Sequence, residues 1–399
     1  MWLQNPAFDN TEIAFKGKSD RELLWSYRLF KVIGKPWMVS FGSVLSKAAL
    51  VLHLPVKGLI KKTVFRQFCG GENIQECEPK INQLSEFGIG TILDYSIEGK
   101  NSEKDLDHTR DEIIATIIKA KSDAGIPFSV FKPTGIARIS ILEKINDQKT
   151  MLTEEEEREA DLFIDRADAI CQAASENNVP VFIDAEDSWI QNGIDRMATL
   201  MMKKYNQKNT IVFTTLQMYR RDRLQYLKEM YDAARGENYR VGVKLVRGAY
   251  MEKERERAKE KGYPCPIQPD KESTDRDFNK ALEFMFAHLD VFSICCGTHN
   301  EKSTDLLLSL MEKYKIERTD KRIFAAQLLG MSDHITYNLA HNGYNVVKYV
   351  PYGPIKEVLP YLLRRAQENT SVAGQTGREL SLIIKEKERR KLYPVVVGK

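Results

Sequence analysis

The strongest constraint on how this chain folds is an alternation that begins near residue 89. Short apolar, β-branched runs recur there, each followed by a longer amphipathic segment. The runs are GIGTILDYS ending near Tyr95, PFSVFKP near Lys132, PVFIDAE near Asp184, TIVFTTLQ at Gln217, RVGVKLVRG near Arg247, VFSICCGTH near His299, RIFAAQLLG near Leu328 and NVVKYVPYG near Tyr349. Between and after them, residues 102–124, 153–178, 190–206, 219–235, 275–289, 301–314, 331–341 and 354–369 carry helical periodicity. Strands that are apolar nearly throughout are covered on both faces, which is the condition of parallel strands flanked by helices. Eight strand–helix units in about 280 residues predict an α/β protein, a (β/α)8 TIM-like barrel rather than an open doubly wound sheet.

Residues 1–88 break this rhythm and read as an N-terminal helical arm, with Asp20 as N-cap of a helix over 21–33 and a second helical stretch over 39–51. Residues 89–399 then hold the barrel and a short basic tail after Asn369. Segment 37–65 mixes apolar residues with Lys47, Lys57, Lys61 and Lys62. It reads either as a helical cover on the barrel or as a peripheral segment lying on an anionic membrane surface.

Composition works by exclusion. With 60 Lys+Arg against 56 Asp+Glu, the formal charge is only +4, and no nucleic acid partner is expected. Six cysteines without a CxxC pair fit reduced thiols in a cytoplasmic protein, and six scattered histidines offer no metal set, so no metal is expected. The opening MWLQNPAFDN has neither a basic-then-apolar signal nor an Arg-rich presequence, so no secretion or organelle import is expected. The most apolar stretch, 37–54, contains Lys47, His53 and three serines and is too short and polar to span a bilayer. There is no GxGxxG after a strand, no Walker loop, no HExxH and no GxSxG elbow, so any dinucleotide is expected to be held by the barrel itself.

Ionisable or amide side chains recur at the carboxyl ends of the runs: Lys132, Asp184, Gln217, Lys244 with Arg247, His299, Gln327 and Tyr349. Barrel active sites are assembled at that end. Lys132 and Lys244 stand in or beside apolar runs, where an unpaired ammonium is costly, and Asp184 is the expected counter-charge. In YLLRRAQEN, residues Tyr361, Arg364, Arg365 and Glu368 share one helical stripe. That stripe is either a solvated face or a pair of guanidiniums turned into the mouth to grip a carboxylate or phosphate. GTHN at Gly297 offers small donors to a phosphate, or simply an Asn300 N-cap, and Gly248 would let a flat ligand approach the backbone.

KLVRGAYMEKERERA at Lys244 and YLLRRAQENTS at Tyr361 resemble the proline dehydrogenase family of FAD-dependent (β/α)8 barrels. FKPTGI, FIDAED, TTLQMYRRD, GTHN, FAAQLLGM and VVKYVPYG add to the likeness, which covers roughly residues 65–385. The resemblance implies that Arg364, Arg365 and Lys132 bind the carboxylate of L-proline and that Tyr349 and Tyr361 pack on its ring. It implies that Asp184 and Lys244 are catalytic, and that Ala185, Gln217, Lys244, Arg247, Gly248, Ala249, Thr298 and His299 contact FAD. The implied reaction moves a hydride from C5 of proline to FAD N5, giving Δ1-pyrroline-5-carboxylate, with electrons passed to a membrane quinone and the product to a separate pyrroline-5-carboxylate dehydrogenase. The KLVRGAY form is similar to the mitochondrial-type branch; bifunctional bacterial members usually have Arg at the position of Lys244 and Lys at that of Arg247. A Schiff-base lyase or aldolase using a mouth lysine, and a hydroxyproline-preferring dehydrogenase, are the competing readings.

Overall fold

Eight parallel strands close on themselves in chain order. They are β1 (Gly90–Tyr95), β2 (Phe128–Phe131), β3 (Val181–Ile183), β4 (Val212–Gln217), β5 (Val241–Val246), β6 (Phe292–Gly297), β7 (Ile323–Leu328) and β8 (Val346–Tyr352). The computed structural model describes residues 6–35, 57–97, 99, 101–147, 150–371 and 375–392. Each of the eight apolar runs is a strand, so the (β/α)8 expectation holds. Two ends differ: β6 stops at Gly297, and β8 continues to Tyr352 because β1 pairs with it through Tyr95↔Tyr352.

Local sequence explains where helices begin and end. In helix Glu154–Asn177 the Thr153 side chain accepts from Glu156 N while Glu156 reaches back, and four glutamates sit in the first turn at the positive end of the helix dipole. Asn178 ends it in the left-handed conformation. Helix Asp20–Ile33 has the same reciprocal cap, but its N-cap is Ser19 paired with Glu22, not Asp20. Helix Met251–Lys261 between β5 and helix Lys271–Ala287 was not expected. Its sequence, MEKERERAKEK, buries only Glu254 and Ala258, so no apolar stripe announces it.

The main hydrophobic core lies between strands and surrounding helices, and a smaller one fills the barrel. Inside, Phe128 stacks on Phe182 at 4.6 Å and meets Phe213 and Phe324 edge-on at 5.6 and 4.8 Å. A β-carbon on Gly242 would stand 2.5 Å from the Phe213 ring, so the aromatic plug needs glycine there.

A third cluster joins the two ends of the chain. Leu23, Phe30 and Ile33 of helix Asp20–Ile33 pack with Phe65, Phe68, Val358 and Leu362 and with Leu382 and Ile383 of helix Gln375–Arg389. The expected basic tail is therefore a docked helix. Two of its inward positions are the carboxylates Glu379 and Glu386, which is why it reads as surface charge in sequence. Arg390 fastens it to the arm through Phe15 O, Lys18 O and Asp20. The helix expected over 39–51 lies outside the described residues. Replacing Gly242 with Ala should lower stability by about 1–3 kcal/mol, read as a drop in the urea midpoint with an unchanged m-value.

Candidate active site

Along a barrel strand every second residue points to the axis. The inward apolar layer includes Ile92, Val130, Phe182 and Val347. Two residues further toward the carboxyl ends stand Asp94, Lys132, Asp184 and Tyr349, and two beyond Gly242 stands Lys244. The same two-residue period that builds the plug thus lays a polar layer on top of it. Lys244 Nζ lies 5.3 Å from the centre of the Phe182 ring and 4.6 Å from that of Tyr349, in cation–π range of both.

Within this layer the charges are paired. Lys244 Nζ is bonded to Asp184 Oδ1 and donates to the Tyr349 hydroxyl at 3.1 Å, which in turn donates to Asp184 at 2.8 Å. Lys132 Nζ meets both oxygens of Asp94 at 2.7 and 2.8 Å and lies 3.7 Å from Asp184. Asp184 is thus the expected counter-charge, shared by both lysines, and Lys132 has a second and nearer carboxylate. Asp94 is the close partner of Lys132, and Asp184 belongs first to Lys244. Sequence reasoning missed Asp94, although a carboxylate inside the apolar run GTILDYS is the same signal that singled out Lys132. Burial alone would raise the Asp184 carboxyl, but Lys244 and Lys132 outweigh it and hold it below its usual value.

The ends of β4, β5 and β6 form a second group. Gln217 is buried, its Nε2 donates to Ala185 O at 3.4 Å, and its Oε1 has no partner among the described residues. Arg247 lies over the Phe278 ring at 4.4 Å and donates to Asp275, Thr298 and Ser303 at 2.6, 2.8 and 2.9 Å, which fixes Thr298 at the end of β6. Gly248 takes φ +123°, a conformation open to glycine, before Ala249. Asn300 is the N-cap of helix Glu301–Lys313.

Helix Ile355–Ser371 carries Tyr361, Arg364 and Arg365. Tyr361 and Arg365 are buried, with the Arg365 guanidinium 5.2 Å from the Tyr361 ring, and Arg364 lies 5.7 Å from the ring of Tyr250, which follows Ala249. The stripe is therefore not simply a solvated face. The side chain of Glu368 lies outside the described residues.

His299 connects the β6 end to both termini of the chain. Its Nδ1 shares a hydrogen bond of 2.9 Å with Ser332 Oγ, and Ser332 N donates to Glu379 of the terminal helix. Asp333, next in sequence, bridges Lys348 of β8 and Lys18 of the arm, each at 2.9 Å. Glu301 accepts from Arg378 at 2.8 Å and pairs with His334 at 3.0 Å. Burial and then the cations Lys348 and Arg365 push His299 down to about 3.

A closed barrel with an aromatic floor, a paired ionic layer and two arginines carried on the helix after β8 defines an enzyme of the (β/α)8 class. A family model described as proline dehydrogenase matches residues 77–378, and the chain belongs to the proline dehydrogenase family. It is an oxidoreductase of proline catabolism. Proline dehydrogenase 1, mitochondrial, of Dictyostelium discoideum is 31% identical over 430 residues, covering 96% of this chain and 75% of that protein. Hydroxyproline dehydrogenase of Xenopus laevis is 30% identical over 416 residues, covering 94% of this chain and 88% of that protein. The solved structure of proline utilization A (PutA) from Bdellovibrio bacteriovorus has the same fold, with a TM-score of 0.72 at 18% identity, covering 100% of this chain and 43% of that one.

Because His299 is pushed down to about 3 from 6.5, the unfolded chain takes up its proton first. The stability it contributes is complete above pH 6.5 and is lost as pH falls toward 3; Glu301, held near 2 by His334 and Arg378, adds its loss only below its ordinary 4.5. Burial raises the carboxyls of Glu379 and Glu254, which gain stability as pH falls, so the His299 share is read by difference: from pH 6.5 to 4.5 the urea midpoint of the parent should drop relative to that of His299→Gln.

Proposed function

We propose that this chain oxidises L-proline to Δ1-pyrroline-5-carboxylate at the carboxyl end of its barrel, using FAD, with a membrane quinone as the final electron acceptor. The observation that carries this reading is the Asp184–Lys244–Tyr349 contact, in which three positions singled out from three separate strands converge on one point.

The side chains at the ends of β4 to β6 suit a flavin dinucleotide. Gln217 Oε1 is a buried acceptor that a flavin N–H would satisfy. Lys244, Arg247, Thr298 and His299 supply donors and positive charge, while Ala185, Gly248 and Ala249 let a planar group approach the backbone. When bound, FAD supplies the acceptor for the hydride leaving C5 of proline. The residues of the chain do the rest. Arg364 and Arg365 hold the substrate carboxylate with Lys132, whose ammonium is neutralised by Asp94. Tyr349 and Tyr361 cover the pyrrolidine ring. Asp184, kept ionised by its two lysines, anchors the Tyr349 hydroxyl and the Lys244 ammonium.

Proline is favoured over 4-hydroxyproline because the Tyr349 hydroxyl, fixed on Asp184, leaves its ring in place to crowd a 4-hydroxyl group. A Schiff-base lyase needs a neutral lysine lone pair, whereas Lys132 and Lys244 both lie against carboxylates. Among the described residues no helix is long and apolar enough to cross a membrane. Reaching a membrane quinone then falls to the Lys-rich segment 37–65, whose end is anchored on the protein by buried Ile60 and Phe65 and whose other lysines would meet the inner membrane surface peripherally in a cytoplasmic protein; the product passes to a separate pyrroline-5-carboxylate dehydrogenase.

The purified protein should show flavin absorbance that bleaches anaerobically on adding proline; a colourless protein that still consumed proline would refute the cofactor. Arg364→Met or Arg365→Met should raise the KM for proline by about 100-fold with flavin content unchanged, the loss of a charge-assisted bidentate contact. Full-length protein should co-sediment with anionic vesicles, and a variant with Lys47, Lys57 and Lys62 changed to Glu should not; equal partitioning would end the membrane role of 37–65.

A further inference from the structure

FIDAED carries a second carboxylate two residues after Asp184, and none of the roles above uses it. Glu186 is 5% exposed. Its Oε1 accepts from Thr134 N at 2.8 Å and its Oε2 from Thr134 Oγ1 at 2.6 Å. Its own N–H donates to Gln191 Oε1 at 2.8 Å, Gln191 Nε2 donates to Asp195 at 2.8 Å, and Arg223 donates to Asp195 at 2.6 Å. A buried polar chain thus runs from the turn after β2, under the turn after β3, to the helix after β4.

What this chain holds is the backbone beside Lys132. Lys132 is the N-cap of the four-residue helix Pro133–Ile136 and makes no side-chain cap. Pro133 keeps Lys132 extended, at φ −101° and ψ 128°, and removes one N–H from the first turn. The next N–H, that of Thr134, would be a buried orphan donor without Glu186. So short a helix has little stability of its own, and its orientation comes from what its first turn is bonded to. Glu186 belongs to the same β3 loop as Asp184, so one loop fixes both the Lys132 turn and the carboxylate 3.7 Å from Lys132 Nζ.

We propose that Glu186 is a positioning residue for substrate binding. By clamping Thr134 it aims Lys132 at the substrate carboxylate, a role that rests on the reading of Lys132 as a carboxylate ligand.

The test is a double-mutant cycle on the holoenzyme, reading flavin content and the separate kinetic constants for proline. Glu186→Ala should raise the KM about tenfold, keep kcat within about threefold and leave flavin bound. Glu186→Gln, whose carboxamide can accept from Thr134 N–H and donate to its hydroxyl, should stay within about threefold of the parent KM. In a Lys132→Ala background, Glu186→Ala should add less than about twofold, because its effect acts through a side chain already removed. An unchanged KM in Glu186→Ala, or the same tenfold rise in the Lys132→Ala background, would overturn the proposal. Lys132→Ala with the parent KM would instead overturn the carboxylate role of Lys132 itself. If Glu186→Ala does not fold, Thr134→Val, which removes one donor, should raise the KM about threefold with the same dependence on Lys132; no change there would overturn the proposal.

Discussion

Holding Asp94, Lys132, Asp184 and Lys244 near the axis of a closed barrel is tolerable only when every ammonium meets a carboxylate at bonding distance. The contacts Lys132–Asp94 and Lys244–Asp184 satisfy that condition, and the Tyr349 hydroxyl ties the second pair to β8. The rest of the site follows from it. The aromatic plug of Phe128, Phe182, Phe213 and Phe324 keeps water from below, which strengthens the pairs and confines them to the carboxyl end of the strands. Gly242 is there because the plug leaves no room for a side chain beneath Lys244.

Above that layer, the site is built from segments distant in sequence. The arm reaches Asp333 through Lys18, and the terminal helix reaches Ser332 and Glu301 through Glu379 and Arg378. All converge on the turns after β6 and β7, which the His299–Ser332 hydrogen bond ties together. The arm and the tail are therefore structural parts of the β6–β7 side of the mouth, and their shared core of Leu23, Phe30, Val358, Leu362, Leu382 and Ile383 keeps the helix bearing Tyr361, Arg364 and Arg365 seated on the barrel.

Legibility followed the physical origin of each feature. The strands were readable because burial on both faces demands unbroken apolar runs, and polar residues ending those runs were readable as exceptions. Asp94 obeys the same rule, but its run continues through Tyr95 and Ser96, which look like an ordinary strand end and mask it. Helix Met251–Lys261 and the terminal helix were not legible for a different reason. Their inward positions include Glu254 and Glu379, carboxylates bonded to Ser188 and Ser332 elsewhere in the fold, and Glu386, held by Arg389 and Arg390 beside it, and periodicity of hydrophobicity carries no trace of such pairing.

By itself the sequence determined the eight-stranded barrel, the end of it where polar side chains gather, and the family to which the chain belongs, because strand burial, strand–helix order and short motifs are all local properties. Only the tertiary structure decided which carboxylate neutralises which lysine. Asp184 just past the end of β3, Lys244 on β5 and Tyr349 on β8 meet across the barrel axis, while Asp94 and Lys132 meet between neighbours. Such pairings depend on strand register and on closure of the sheet, and neither is written in the spacing of residues along the chain.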